Sequence, residues 1–193
     1  MLFRSGIAGG AQDQYAATFG GFNFMEFYKN ENVIVNPLRV KDEILSELES
    51  STVLYFTNIT RKASQIESEK KLLISNNKSI KAMHKVKEDA TLMKNSILKG
   101  DIKSFAESLH DSWIAKKSVS KSVSNKEIDN VYKVAQENGA IAGKVSGAGG
   151  GGFMFFIVPP EKRYQLIQHL NDKKGKVFNF HFVNHGAKSW TIS

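Results

Sequence analysis

The sequence predicts an α+β fold, and three observations carry that prediction. Apolar residues alternate with polar ones before about residue 60, recur at helical spacing from about 61 to 138, and then return to a strand, helix, strand order. At 193 residues and 41% hydrophobic content the chain can bury a full core.

The elements follow in order. QDQYAATF (12–19) is expected to be a short helix, with Asp13 at its start and able to serve as its N-cap. In GGFNFMEFYKNENVIVNPLRV (20–40), Phe22, Phe24 and Glu26 share one parity, and Val33 and Val35 follow the turn-like KNEN. That pattern predicts a hairpin closed off by Pro37. STVLYFTN (51–58) is β-branched and aromatic, as a buried strand is. In the helical block, Ile80, Met83, Ala90, Met93 and Ile97 are expected to face the core. Gly100 should stop that helix and Asp101 cap the next, which carries Phe105, Leu109 and Trp113. SNKEIDNVYKVAQENGA predicts a helix with Ser124 or Asn125 as N-cap, Glu127 in the first turn and Gly139 past the end. A glycine loop, the strand FMFFIV, a helix from 161 to about 171, a basic turn DKKGK and the alternating strand VFNFHFV complete the chain.

Composition excludes several classes of function. No apolar run reaches the length of a membrane span and the first residues lack a secretory signal, so a cytoplasmic protein with no membrane partner is expected. The absence of cysteine excludes disulfides and thiolate sites, and the five histidines are scattered without metal-ligand spacing. The net charge of +8 favours anionic partners. Its lysines lie along helical segments without interleaved aromatics, which speaks against nucleic acid.

The stretch GKVSGAGGGGFMFFIVPP (143–160) places five glycines in the six positions 147–152. Two would suffice for a tight turn; five mean that the backbone closely approaches another main chain or a ligand. Successive amides in such a loop form an anion-binding concavity, so Gly147, Ala148, Gly149, Gly150, Gly151 and Gly152 are candidate phosphate-binding residues. No GxxxxGK[ST] is present, and the GxGxxG at 147, 149 and 152 leads into a strand where a dinucleotide fold needs a helix.

KVSGAGGGGFMFFIV resembles the third motif of the galactokinase, homoserine kinase, mevalonate kinase and phosphomevalonate kinase superfamily (GHMP kinases). GIAGGAQDQYAATFGGFNFMEF resembles the segment carrying that superfamily's catalytic aspartate, and the chain as a whole is similar to its sugar kinases acting on D-glycero-D-manno-heptose 7-phosphate. The resemblance implies a ferredoxin-like C-terminal domain over 51–193. Before it, 1–50 would hold the last helix and hairpin of an N-terminal domain of the ribosomal S5 domain 2 type. It implies ATP and Mg2+ as cofactors, a sugar phosphate as acceptor, and phosphoryl transfer to the anomeric hydroxyl. Asp13 would be the catalytic residue beside that hydroxyl, an ionised carboxylate favoured by the helix N-terminus. Gln12, Gln14 and Tyr15 are candidate sugar contacts and Arg61 a candidate for the anionic substrate. Lys116 and Lys117 invite the same role, with a solvated or helix-capping cation as an equal alternative.

The superfamily's N-terminal substrate motif and its PxxxGLGSS-type loop do not occur. The expectation is therefore the C-terminal portion of a kinase, inactive alone, and either a truncated reading frame or a chain completed by a separate N-terminal half or by self-association. Three alternatives remain open: another GHMP sugar kinase of the fucose or galactose type, a silent interaction module built on the 20–40 hairpin, and a basic nucleic-acid-binding domain.

Overall fold

A computed structural model describes residues 11–29, 31–59 and 77–190. The chain starts with helix α1 (Gln12–Phe19) and the hairpin β1 (Asn23–Phe27) and β2 (Val33–Pro37), with Met25 opposite Val35. Helix α2 (Asp42–Ser50) and strand β3 (Thr52–Phe56) follow, and beyond the undescribed 60–76 come α3 (Asn77–Lys99), α4 (Ile102–Val119) and α5 (Lys126–Glu137). Strands β4 (Ala142–Val145) and β5 (Phe153–Ile157) flank the glycine loop, and α6 (Pro160–Asn171) leads to β6 (Lys176–Phe178).

Strands β3 to β6 form one antiparallel sheet in the spatial order β4, β5, β3, β6. With helices between β3 and β4 and between β5 and β6, this is the split β-α-β arrangement of a ferredoxin-like domain, as the resemblance implies. Strand alternation divides the core. Val53, Tyr55, Val145, Met154 and Phe156 face α5 and α6, where Ile128, Tyr132, Leu166 and Leu170 are buried with them. Ala142 and Ile157 face the other way, toward Ile44 and Leu48 of α2, Ile97 of α3 and Leu109 of α4.

Local signals set the helix ends. Gly100 (φ +77°) follows α3, and Asp101 accepts the Ser104 N–H at 2.9 Å. Asn125 rather than Ser124 caps α5, accepting the N–H groups of Glu127 and Ile128 at 3.0 Å each. Asn125→Ala is expected to lower stability by about 1 kcal/mol, read as a reduced urea midpoint at unchanged slope.

Three expectations are corrected. DEILSELES (42–50), passed over between the hairpin and β3, is the helix α2, with Ile44 and Leu48 buried one turn apart. In α3 the buried face runs through Ser79, Ala82, Asp89 and Ile97, while Ile80 and Met83 are 39% and 48% exposed and Ala90 is exposed too. Small residues let α4 come close along this seam, so packing overrides the simple apolar stripe. Finally, VFNFHFV is a strand only as far as Phe178. Beyond it, Glu49 accepts the Phe182 N–H at 2.8 Å and pairs with His181 Nδ1 at 2.8 Å, and Val183 accepts the Gly21 N–H. The tail leaves the sheet because α2 and the hairpin region supply its hydrogen-bond partners.

The Phe182 N–H, and then the His181 ring, hold the Glu49 carboxyl below its ordinary value of 4.5. A depressed carboxylate contributes stability in full above that ordinary value, and the contribution is lost as pH falls through the folded-state value. Melting profiles of the wild type and Glu49→Gln should therefore separate above pH 4.5, with the wild type higher, and converge in acid.

Candidate active site

Asp13 lies in the first turn of α1, exposed to solvent. It does not cap the helix: the N-cap position belongs to Ala11, and no side chain accepts the first amides there. Capping requires a side chain on the residue that flanks the helix, and Asp13 stands inside it. Its carboxylate is thus at the positive end of the helix without being committed to the backbone. Asp13 Oδ2 stands 3.9 Å from the point a Cβ on Gly147 would occupy. The aspartate segment and the glycine loop, distant in sequence, meet there.

The loop divides into two functions. At Gly149 (φ +109°) an added Cβ would come within 2.7 Å of the Val123 carbonyl oxygen, and one on Gly151 would overlap the Ile59 carbonyl. The Gly150 N–H donates to Val123 O at 2.8 Å and the Gly152 N–H to Ile59 O at 2.9 Å. Asn125 Nδ2 donates to Gly150 O at 3.1 Å, while Thr57 brings both its N–H and its hydroxyl to Gly152 O at 2.9 Å. The middle of the loop therefore lacks side chains because other main chain packs onto it. Two amides of the anticipated concavity, those of Gly150 and Gly152, are engaged within the protein. At the other end, Lys116 Nζ on α4 donates to Gly147 O at 2.6 Å, fixing the turn that faces Asp13. Lys117 points elsewhere, pairing with Asp129 at 3.1 Å and lying 5.8 Å from the Trp113 and Tyr132 ring centres.

A cavity of about 530 Å³ opens beside Asp13, between α1, the hairpin, α3, α4 and β4. Gln12, Asp13, Asn23, Lys94, Ser112 and Lys144 are its polar lining, and aromatic rings of the hairpin supply much of the apolar part. Gln14 and Tyr15 are not among the described residues that line it. Tyr15 stacks on Phe19 and meets the edge of Phe27 at 5.9 Å, and the Gln14 carbonyl accepts the Thr18 hydroxyl at 2.7 Å. Arg61 lies outside the described residues. Sequence reasoning missed Lys94, Ser112 and Lys144. Lys144 had a signal in its closeness to the glycine loop; Lys94 was hidden because its helix was read as packing on the core. Among the described residues no group of three or more His, Asp or Glu could hold a metal, and no helix is long and apolar enough to cross a membrane.

Residues 93–176, which hold β4, the glycine loop and β5, match the family GHMP kinases C terminal. This part of the chain corresponds to a GHMP kinase C-terminal domain. The D-glycero-alpha-D-manno-heptose 7-phosphate kinase of Campylobacter jejuni is 57% identical to it over 187 residues, covering 97% of this chain and 55% of that protein. The crystal structure of a D-glycero-D-manno-heptose 1-phosphate kinase of B. thetaiotaomicron matches with a TM-score of 0.72 at 41% identity, over 97% of this chain and 51% of that one. L. major mevalonate kinase, at 16% identity and a TM-score of 0.73 over 91% of this chain and 53% of that one, shares the fold. The chain spans about half the length of these relatives. GHMP sugar kinases use ATP, generally with Mg2+.

Proposed function

We propose that the chain is the C-terminal portion of a sugar kinase. The kinase would transfer the γ-phosphate of ATP to the anomeric hydroxyl of D-glycero-D-manno-heptose 7-phosphate. The observation that carries this reading is the Asp13 carboxylate facing Gly147 at the edge of a largely apolar cavity into which six polar residues are set. The 57% identity to a heptose 7-phosphate kinase supports the choice of acceptor.

The residues divide the work as follows. Asp13 orients the acceptor hydroxyl and takes its proton. Gly147, held by Lys116 and without a side chain, leaves the space in which a phosphoryl group and that hydroxyl can meet. Gln12 lines the same cavity as a sugar contact. The Gly147 end of the loop leaves space for a phosphate group, since among the described residues nothing but Asp13 Oδ2, at 3.9 Å, comes within 4 Å of the missing Cβ. When bound, Mg-ATP supplies the transferable group and the cation that neutralises its oxygens. Among the described residues lining the cavity the one carboxylate is Asp13, whose oxygens could contribute to holding the cation.

The family loop that holds the triphosphate lies in the half of the relatives this chain does not span, and a complementing N-terminal half is the proposed partner. The test is ADP release with Mg-ATP and the heptose 7-phosphate, by the chain alone and after adding the N-terminal half of the C. jejuni relative. Turnover that vanishes in Asp13→Asn supports the reading; no Asp13-dependent turnover in either arrangement overturns it.

A further inference from the structure

We infer that Lys94 receives the phosphate group that the acceptor sugar already carries, an inference that rests on the sugar-kinase reading above. Among the described residues lining the cavity, the ionisable ones are Asp13, Lys94 and Lys144. One carboxylate against two ammonium groups suits an anionic acceptor better than a neutral one.

The two lysines sit on different walls. Lys144 is in β4, opposite Phe155, three residues before Gly147 on the strand that runs into the glycine loop. By chain position it is the lysine nearer the glycine loop, where Gly147 faces Asp13. Lys94 projects from α3, and its Nζ lies 4.6 Å from the centre of the Phe24 ring on β1. Among the described residues Lys94 is in no ion pair. Its recorded contact, a lysine over a phenylalanine face, is weaker than a charge-assisted hydrogen bond to phosphate, so an arriving phosphate can draw the ammonium from the ring.

The surroundings strengthen that preference. Phe22, Phe24, Phe27 and Phe105 share the cavity with Lys94, and apolar walls reduce the screening between an ammonium and a phosphate. A sugar phosphorylated at one end and reacting at the other needs a cation away from the carboxylate that handles the hydroxyl. Lys94, on α3 and so on a different wall from α1 and β4, is the cation proposed for that end, with the hairpin rings beside it for the carbon skeleton.

Titration calorimetry of this chain with D-glycero-D-manno-heptose 7-phosphate and with the unphosphorylated heptose tests the assignment. The wild type should bind the phosphorylated sugar more tightly. Lys94→Met should weaken binding of the 7-phosphate by about ten- to hundred-fold, leave the unphosphorylated sugar unchanged, and be largely rescued by Lys94→Arg. Unchanged affinity for the unphosphorylated sugar doubles as the check on folding. A phosphate preference that survives in Lys94→Met, or that disappears in Lys144→Met and not in Lys94→Met, overturns the inference while leaving the kinase reading in place. Equal weakening for both sugars also overturns it, because it assigns Lys94 to the architecture of the cavity. Binding of neither sugar by the wild type, both alone and with the N-terminal half of the C. jejuni relative added, removes the sugar-kinase reading and the Lys94 assignment with it.

Discussion

Asp13→Asn is expected to lower phosphoryl transfer by roughly 10²- to 10⁴-fold while leaving the melting temperature nearly unchanged. The rate effect is large because asparagine cannot take the proton of the acceptor hydroxyl. The stability effect is small for a structural reason: Ala11 holds the N-cap position, so Asp13 supports no backbone amide of α1. What the substitution removes from the fold is one exposed negative charge in the first helical turn, worth about 0.3–1 kcal/mol. ADP release and a thermal melt on the same samples separate the two effects. A melt that falls together with turnover would make Asp13 a structural residue, and retained turnover would remove it from the chemistry.

Gly149→Ala should destabilise the protein by about 2 kcal/mol or more, and Gly152→Ala by about 1–2 kcal/mol. Both residues have positive φ, at +109° and +82°, so both substitutions strain the backbone. They differ in space: a Cβ at Gly149 would press on the Val123 carbonyl, whereas one at Gly152 meets nothing within 4 Å. Gly149→Ala would also shift the loop that carries Gly147 toward Asp13, reducing turnover beyond the stability effect. Urea unfolding of both variants checks this, and equal losses would show that packing on Val123 is not what excludes a side chain at Gly149.

The legible parts of this protein are those whose physics is local. Asp101 and Asn125 satisfy amides two or three residues ahead of them, and Gly100 ends α3 by its own backbone freedom, so each was readable from a short window. The glycine loop was legible as a close approach of backbone, and the sequence left open whether main chain or ligand was approached. For Gly149 and Gly151 the neighbour is main chain, from Val123 and Ile59. No window around the loop contains those residues.

The same limit explains the misses. VFNFHFV alternates as a strand should, yet Glu49 from α2 accepts the Phe182 amide, and the segment leaves the sheet. The spacing of Ile80, Met83, Ala90, Met93 and Ile97 reports one helix face, and only the approach of α4 decides that Ser79, Ala82 and Asp89 are covered instead. Lys94 and Lys144 enter the cavity from elements 50 residues apart, a proximity without local signature.

By itself the sequence determined the α+β class, the junction of α3 with α4, the ends of α5, the two motifs and the family they indicate, because capping, turn chemistry and periodicity act between near neighbours. Tertiary structure alone decided that Asp13 faces Gly147, that Lys116 and not Lys117 holds the loop, and which cations share the cavity. Those are contacts between distant segments, and their geometry exists only once the sheet has set its strand order and the helices have packed on its faces.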